Sequence, residues 1–566
     1  MHPRILLARL STAFGQAGIL GALLLGLTAC AQLPQDVPRP PSRALASPEG
    51  TPLGTLVQQR RRGAGARSAS GFLLLEGPQS AYGSRLALVD AARKTLDLQY
   101  YAIHADASTA RLMRAVREAA ARGVRVRILL DDFHSTGRNA LVLRLAFEPN
   151  IEIRLFNPLA GARASALGRV VGSLGDAGRI QQRMHNKLFI ADNAMGITGG
   201  RNLGDAYFGH GDAGNFVDLD VLAAGEVVKE LSRSFDTYWN NERAYPVQSL
   251  VSREALDRLR DEVRAERERR DGAANAPQPP DGEPRPVDGA DRAQAAARRA
   301  AVWNQQPMDL AAQPFVWAPA AMMVDRPAKI PADEQGAGTA PAAPPSAQGE
   351  VAAGETVVDG LLQLIGQARG DLLIISPYFV PGPDMMKAFA DAVRRGVRVR
   401  VLTNSLASND APIAHVGYAR HREALLDVGV ALYEMRSEQA TVGSALGASG
   451  ASVTGGSRAM LHSKVLVVDG RLLVVGSMNL DLRSQKQNTE VALLIRSPQL
   501  SKQATQSIET ALREGAWHVE RTDGGALVWR APQGSGLEDA RREPDASLGL
   551  RLLLQLIGPL APDELL

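Results

Sequence analysis

Cysteine occurs once in the 566 residues, at Cys30, so no intramolecular disulfide can staple this chain. Lysine is almost as scarce, 8 residues against 56 arginines. Lysine is a compact point charge and arginine a planar fork, so a lysine retained in such a chain marks a position that needs the former. Long apolar runs are missing as well. Ala17 to Leu27 and Leu548 to Ile557 both fall short of the roughly 20 residues that span a bilayer. A dense His/Asp/Glu ligand cluster is absent, so the sequence gives no reason to expect a metal. A basic stripe interleaved with aromatics is absent too, which disfavours a nucleic-acid partner. Charge of one sign is not in large excess. A net charge of +4 and a pI of 9.2 mildly favour anionic partners, with a solvated arginine-rich surface as the bland alternative.

The N-terminus reads as a leader. Arg4 and Arg9 precede the apolar run, which ends in Leu27-Thr28-Ala29-Cys30. Small residues before the only cysteine resemble a bacterial lipobox, in which the thiol is lipidated and becomes the mature N-terminus. The alternatives are an ordinary signal peptide or an uncleaved anchor. A lipidated Cys30 would hold the protein on a membrane surface of the cell envelope, facing the periplasm. Ala31 argues weakly against retention at the inner membrane, and which membrane holds it stays open.

A length of 566 residues exceeds one core, and 45% hydrophobic content supports globular folding. After the leader (1–30), residues 31–69 are Pro-, Ser- and Arg-rich and read as a disordered tether. A first block covers 70–260. Residues 261–312 form a charged, Pro-rich linker, helical at its start. A second block covers 313–535, opened by a strand over Pro314–Asp325 and interrupted by a disordered insertion at 332–355. A tail, 536–566, carries the short apolar segment. Ser437 to Ser457 reads as a flexible stretch, either a lid or a plain surface loop.

The two blocks are copies of one design. LDLQYYAI (Leu96–Ile103) parallels LLIISPYFV (Leu372–Val380) as a buried-type strand. Helices follow, with Leu112, Met113, Val116, Ala119 and Ala120 at helical spacing in one block and Met386, Phe389, Ala390 and Val393 in the other. Each stops at a glycine, Gly123 or Gly396. Nearly the same strand comes next, GVRVRILLDD or GVRVRVLTNS. A duplicated β-α-β unit implies a parallel or mixed sheet with helices on its faces.

At equivalent places each block carries His-x-Lys-x-x-x-x-Asp: His185, Lys187 and Asp192 in HNKLFIAD, and His462, Lys464 and Asp469 in HSKVLVVD. Random placement at this composition gives roughly 0.01 copies per chain. Strand residues two apart point to one face, so each histidine and lysine project together. Asp192 and Asp469 fall on the other face, at a turn, and read as ties for the backbone. TGGRN and VGSMN follow, where small residues admit backbone and Asn202 and Asn479 can donate to an anionic oxygen. Asp218 and Glu490, each second in a later strand, can orient a histidine through its second ring nitrogen. Two histidines, two lysines and two asparagines suit a phosphodiester, whose transition state spreads negative charge over equatorial oxygens. One histidine attacks phosphorus and the other protonates the leaving alcohol, which requires their pKa values to be pushed apart. Lysine charge replaces a metal there, so no cofactor is expected.

These motifs resemble the phospholipase D superfamily, whose members carry paired HxKxxxxD. RMHNKLFIAD, GGRNLGDAYFG, DLDVLAAG, SPYFVPG, GVRVRVLTNSLASNDAPIAHVGYAR, LHSKVLVVD and GSMNLDLRS resemble its bacterial cardiolipin synthase branch, C type. The resemblance implies two duplicated α/β sandwich domains with the active site at their interface. It implies a phosphohistidine intermediate, with His185 as nucleophile and His462 as acid/base. Lys187, Lys464, Asn202 and Asn479 would hold phosphate, and Asp218 and Glu490 would orient the histidines. The implied activity is transfer of a phosphatidyl group to make cardiolipin, with phosphatidylglycerol as acceptor and phosphatidylglycerol or phosphatidylethanolamine as donor, at a membrane surface and without nucleic acid. A hydrolase of phospholipids and a nuclease of the same superfamily are the rival readings. A lipobox and the Ala/Pro insertions depart from the family pattern.

Overall fold

The computed structural model describes residues 33–159, 177–211, 214–274, 296–297, 299–330, 356–437, 458–558 and 562–563. Cys30 and the leader, the 332–355 insertion and residues 438–457 of the proposed flexible stretch lie outside the described residues.

Two nine-stranded mixed sheets dominate. The first runs in the order Val316–Trp317, Ser70–Leu75, Asp220–Gly225, Met195–Gly199, Leu188–Ala191, Thr95–Tyr100, Arg125–Asp131, Ile151–Phe156, Ala244–Pro246. The second runs Ala320–Val324, Val491–Arg496, Leu472–Gly476, Val465–Val468, Asp371–Ile375, Arg398–Asn404, Ala431–Met435, Ala516–Arg521, Leu527–Arg530. In both, the duplicated β-α-β strands pair in parallel, and the motif strand joins them antiparallel. The connecting helices are Ala107–Ala121 and Pro383–Arg394. The first buries the five residues expected, and its Asp106 caps the N-terminus by accepting from Thr109 N. The second presents Met385, Phe389 and Ala392 inward, with Met386 and Val393 only partly covered, so its buried row is rotated from the one expected. Gly123 and Gly396 end these helices at φ 91° and 85°, a conformation that favours glycine.

The two sheets are not independent. One apolar cluster contains Phe72, Leu74 and Leu129 of the first half and Leu373, Ile375, Leu402 and Val465 of the second. Separating the halves would expose that core to water, so they form one folding unit.

Three boundaries differ from the expectation. Residues 33–69 are not a disordered tether. Arg154 donates to Pro40 O (2.7 Å), Arg127 to Ser42 O (3.0 Å) and Asn193 to Leu45 O (2.8 Å), while Ala44 N donates to Asp236 (2.8 Å). A helix, Pro52–Gly63, then buries Leu53 and Val57. Composition misleads here because this extended segment takes its hydrogen bonds from the first half's own side chains. The linker is likewise partly structured. Its helix runs Arg253–Ala274, and further on Val302 and Leu310 are buried in the first core, with Met308 N donating to Gly83 O (2.9 Å). Finally, Pro314–Asp325 is two strands. Val316–Trp317 pairs with the first sheet and Ala320–Val324 with the second, the break falling at Ala318-Pro319.

Candidate active site

Each motif histidine is delivered by a strand of one half and received by the other half. Gly214–Val217 pairs in parallel with Arg458–Leu461, so His462 N donates to Val217 O (2.8 Å) and the next residue, Asp218, lies beside His462. The same geometry repeats at Met184 and Thr489, with His185 N donating to Thr489 O (2.9 Å) and Glu490 next in sequence. The carboxylates are therefore exchanged between halves. His462 Nδ1 donates to Asp218 Oδ2 at 2.7 Å, and His185 Nδ1 to Glu490 Oε2 at 3.0 Å. This fixes both rings by their δ nitrogens and leaves each Nε2 for chemistry. All four groups are buried.

The preceding residues are pinned by the last residue of each GVRVR strand. Met184 N donates to Asp131 (2.9 Å), and Leu461 exchanges two hydrogen bonds of 2.9 Å with the Asn404 amide. Sequence reading passed over Asp131 and Asn404. Their signal was their equal distance past Gly123 and Gly396.

Lys187 and Lys464 point alongside the histidines. Each ammonium donates to the main-chain oxygen of its own motif histidine, at 2.7 Å and 2.6 Å. Burial lowers their pKa values, to about 7 for Lys187 and about 8 for Lys464. The two histidines also differ. His185 is held well below the ordinary imidazole value by burial and by the charges of Lys187 and Lys464. Its partner Glu490 is pushed up to about 7 by burial, although Lys187 and the Ser477 hydroxyl favour its anion. His462 is also held below the ordinary value by burial and Lys464, but less far, because Asp218 and Asp410 offset part of that effect. Burial opposes the Asp218 anion, yet its hydrogen bond from His462 and the charges of His462, Arg201 and Lys464 outweigh that and hold it low. His185 is thus the imidazole kept neutral, and His462 is the one with an ionised partner to support its proton.

The small residues after each motif explain part of this split. Gly200 runs against Asp218, where a Cβ would stand 2.2 Å from Oδ1. Ser477 occupies the equivalent place in the second half, and its hydroxyl donates to Glu490; Ser484 adds another at 3.1 Å. Asn202 is engaged, with Oδ1 accepting from Ala102 N (3.2 Å) and Nδ2 donating to Tyr207 (3.0 Å). Asn479 is buried, and its Oδ1 has no hydrogen-bond partner. Asp192 accepts from Arg93, Lys94 and Thr95 N at 2.7–2.9 Å, and Asp469 from Arg369, Gly370 and Asp371 N at 2.8–3.2 Å. Both tie a turn to the strand's end and touch neither histidine.

Aromatic rings wall the histidines, a feature sequence reading did not assign. Tyr101 meets His185 edge-on at 5.1 Å, and Tyr207 and Phe216 lie 5.4 and 5.0 Å from His462. Asp410, within Coulomb reach of His462 and Lys464, accepts from the Tyr378 hydroxyl at 2.9 Å.

The family description "Cardiolipin synthase, PLD-like domain" matches residues 86–239 and 361–512, one segment in each half. Cardiolipin synthase C of Escherichia coli (strain K12) is 32% identical over 516 residues, which is 88% of this chain and 96% of that protein. A cardiolipin synthase of Geobacillus kaustophilus is 24% identical over 427 residues, 75% of this chain and 62% of its own length. The crystal structure of phosphatidylserine synthase from Haemophilus influenzae shares the fold, with a TM-score of 0.53 and 14% identity over 90% of this chain and 98% of that one. A duplicated sheet with one HxK pair in each half, matched in both halves by one family, leads to a single assignment: the chain belongs to the cardiolipin synthase family of phospholipase D-like phosphatidyltransferases.

Proposed function

We propose that this enzyme, attached to a membrane, makes cardiolipin from phosphatidylglycerol and a second phospholipid through a phosphohistidine intermediate. The observation that carries the reading is the pair of buried motif histidines, each oriented through Nδ1 by a carboxylate of the opposite half, with His185 the more strongly held neutral. His185 Nε2 attacks the donor phosphorus while the bond to the leaving alcohol breaks, and His462 gives that oxygen its proton. The acceptor hydroxyl of phosphatidylglycerol then loses its proton to His462 and attacks the same phosphorus, which frees His185. Lys187 and Lys464 neutralise charge on the equatorial oxygens, and Asn479 adds an amide. The donor is a second phosphatidylglycerol or phosphatidylethanolamine. Attachment rests on the lipobox-like sequence at Cys30. Among the described residues no helix is long and apolar enough to cross a membrane.

The test uses purified protein in detergent–phospholipid micelles with labelled phosphatidylglycerol, with and without phosphatidylethanolamine. Cardiolipin is the expected product, and a rise on adding phosphatidylethanolamine names the donor. Phosphatidic acid without cardiolipin would make the enzyme a hydrolase. His462→Asn should accumulate a phosphatidyl adduct on His185, read by mass spectrometry of the peptide, and His185→Ala should yield no adduct or product.

A further inference from the structure

Among the described residues seven large apolar side chains are exposed: Phe133, Trp303, Ile413, Leu537, Leu548, Leu552 and Leu556. The three leucines recur at every fourth position of the helix Leu548–Ile557, with exposures of 63, 56 and 75%. They form one stripe along it. The helix contains no acidic residue, carries Arg551, and is preceded by the exposed Arg541 and Arg542; the intervening Glu543 and Asp545 are paired with Arg422 and Arg436. Both ends of the helix are tied down. Ser547 caps one end, and at the other Arg420 donates to Gly558 O. Leu548 and Leu552 also line an open cavity of about 820 Å³ between this helix and Val416, Ala419 and Trp529. Arg420, Arg542, Arg551 and Glu543 stand at its rim.

The stripe is linked to the surroundings of the catalytic histidines through one neighbouring helix. The helix leans on Pro412–Val428, whose first turn presents Ile413, three residues past Asp410. In the other half Phe133 lies 6.5 Å from Tyr101, the ring that walls His185. Phe133 and Ile413 thus lie near the site and the leucine helix packs on the helix of Ile413, while Trp303 stands apart beside Arg114. Isolated exposed apolar residues need no explanation, but an aligned group rimmed by arginines does.

We propose that this face, with Leu548, Leu552 and Leu556 at its centre and Ile413 on the adjoining helix, docks on an anionic phospholipid bilayer. The proposal rests on the lipid reading of the site and names the surface that brings the site to its substrate. Leucines enter the acyl boundary and the arginines meet phosphate, as in other interfacial helices. The cavity beside Leu548 and Leu552 gives an acyl chain room against the stripe.

The experiment uses the full chain with Cys30→Ser and Leu552→Cys, carrying an environment-sensitive nitrobenzoxadiazole label. A second chain carries the label at Lys387→Cys, on the exposed side of another helix. Both are mixed with phosphatidylglycerol vesicles containing spin-labelled lipids as quenchers. The expected result is a fluorescence rise and shallow quenching at position 552 and neither at 387. Equal behaviour of the two labels would overturn the proposal. So would shielding at 552 without vesicles in particles of twice the chain's mass, which would assign the face to a second copy. In parallel, Leu548→Asn, Leu552→Asn and Leu556→Asn together should lower turnover on vesicles roughly 100-fold, because three leucines lose their transfer from water. Turnover on micellar lipid should not change. An equal loss in micelles would mark the stripe as a structural contact instead. The label reports insertion whichever product forms, so failure of the synthase reading and failure of docking are separate results.

Discussion

Lys187→Met should make the protein more stable and inactive. The Lys187 ammonium is buried 2.7 Å from the His185 carbonyl, and its pKa falls from 10.5 to about 7, mainly through desolvation. That drop corresponds to about 5 kcal/mol disfavouring the charged form. At pH 7 the native lysine is half deprotonated, so about 4 kcal/mol of that cost is felt. Methionine removes it, has nearly the same length, and leaves the His185 carbonyl unpaired at a cost of about 1–3 kcal/mol. The net gain is about 1–3 kcal/mol, which raises Tm by up to about 5 °C, since the two halves unfold as one large unit. The pH dependence carries a second signature. Between pH 7 and 10.5 the unfolded chain keeps a proton on this lysine that the native chain has lost, so wild-type stability rises with pH. Lys464, with its pKa near 8, adds to the same slope from pH 8 upward. Scanning calorimetry from pH 7 to 10 should find the slope reduced by roughly half in Lys187→Met, since one of two such lysines remains. Transfer activity should fall at least about 1000-fold with the loss of charge on the phosphoryl oxygens. A Tm lowered by more than a few degrees, or an undiminished slope, would refute the reasoning and make Lys187 a structural counter-ion for Glu490.

Asp218→Asn should cost about 100- to 10,000-fold in transfer activity, because the amide cannot hold His462 as an imidazolium; unchanged kcat in the micelle assay would contradict the exchanged pairing. Gly200→Ala should also lower activity, since its Cβ would displace Asp218 from His462. Tm should drop less than for a core cavity, and the pH–rate profile should shift to lower pH as His462 loses its ionised partner. Asp192→Ala should destabilise by about 3 kcal/mol in urea unfolding because a fully buried carboxylate leaves three main-chain donors without their acceptor, whereas Asp469→Ala, with a more exposed carboxylate, should cost less. The Asp469 carboxyl is held below its ordinary value mainly by main-chain N–H groups, whose hydrogen bonds outweigh the opposing effect of burial. Its contribution is therefore present above pH 4 and lost as pH falls through the native value, a loss absent from the Asp469→Ala acid titration.

Much of the site was legible because its signals are local. Alternation along HNK and HSK puts each histidine and lysine on one face whatever the rest of the chain does. The repeated GVRVR strand and its glycine announced the duplication, and the mixed sheet followed. Asp218 and Glu490 were recognisable as histidine partners, but not whose partners they were. The two contacts join residues 244 and 305 apart in sequence, and nothing in either segment says which half it will meet. Residues 33–69 escaped for a related reason, since the groups that order them belong to Arg127, Arg154 and Asn193 on distant elements.

The sequence alone therefore determined the duplicated α/β architecture, the two HxK pairs and the family, all of which depend on spacing within short segments. Tertiary structure decided the exchange of carboxylates between halves, the separation of His185 from His462 in proton affinity, and the leucine stripe set against the Pro412–Val428 helix. Burial and charge proximity act through space, and the docking of one sheet on the other sets the distances over which they act.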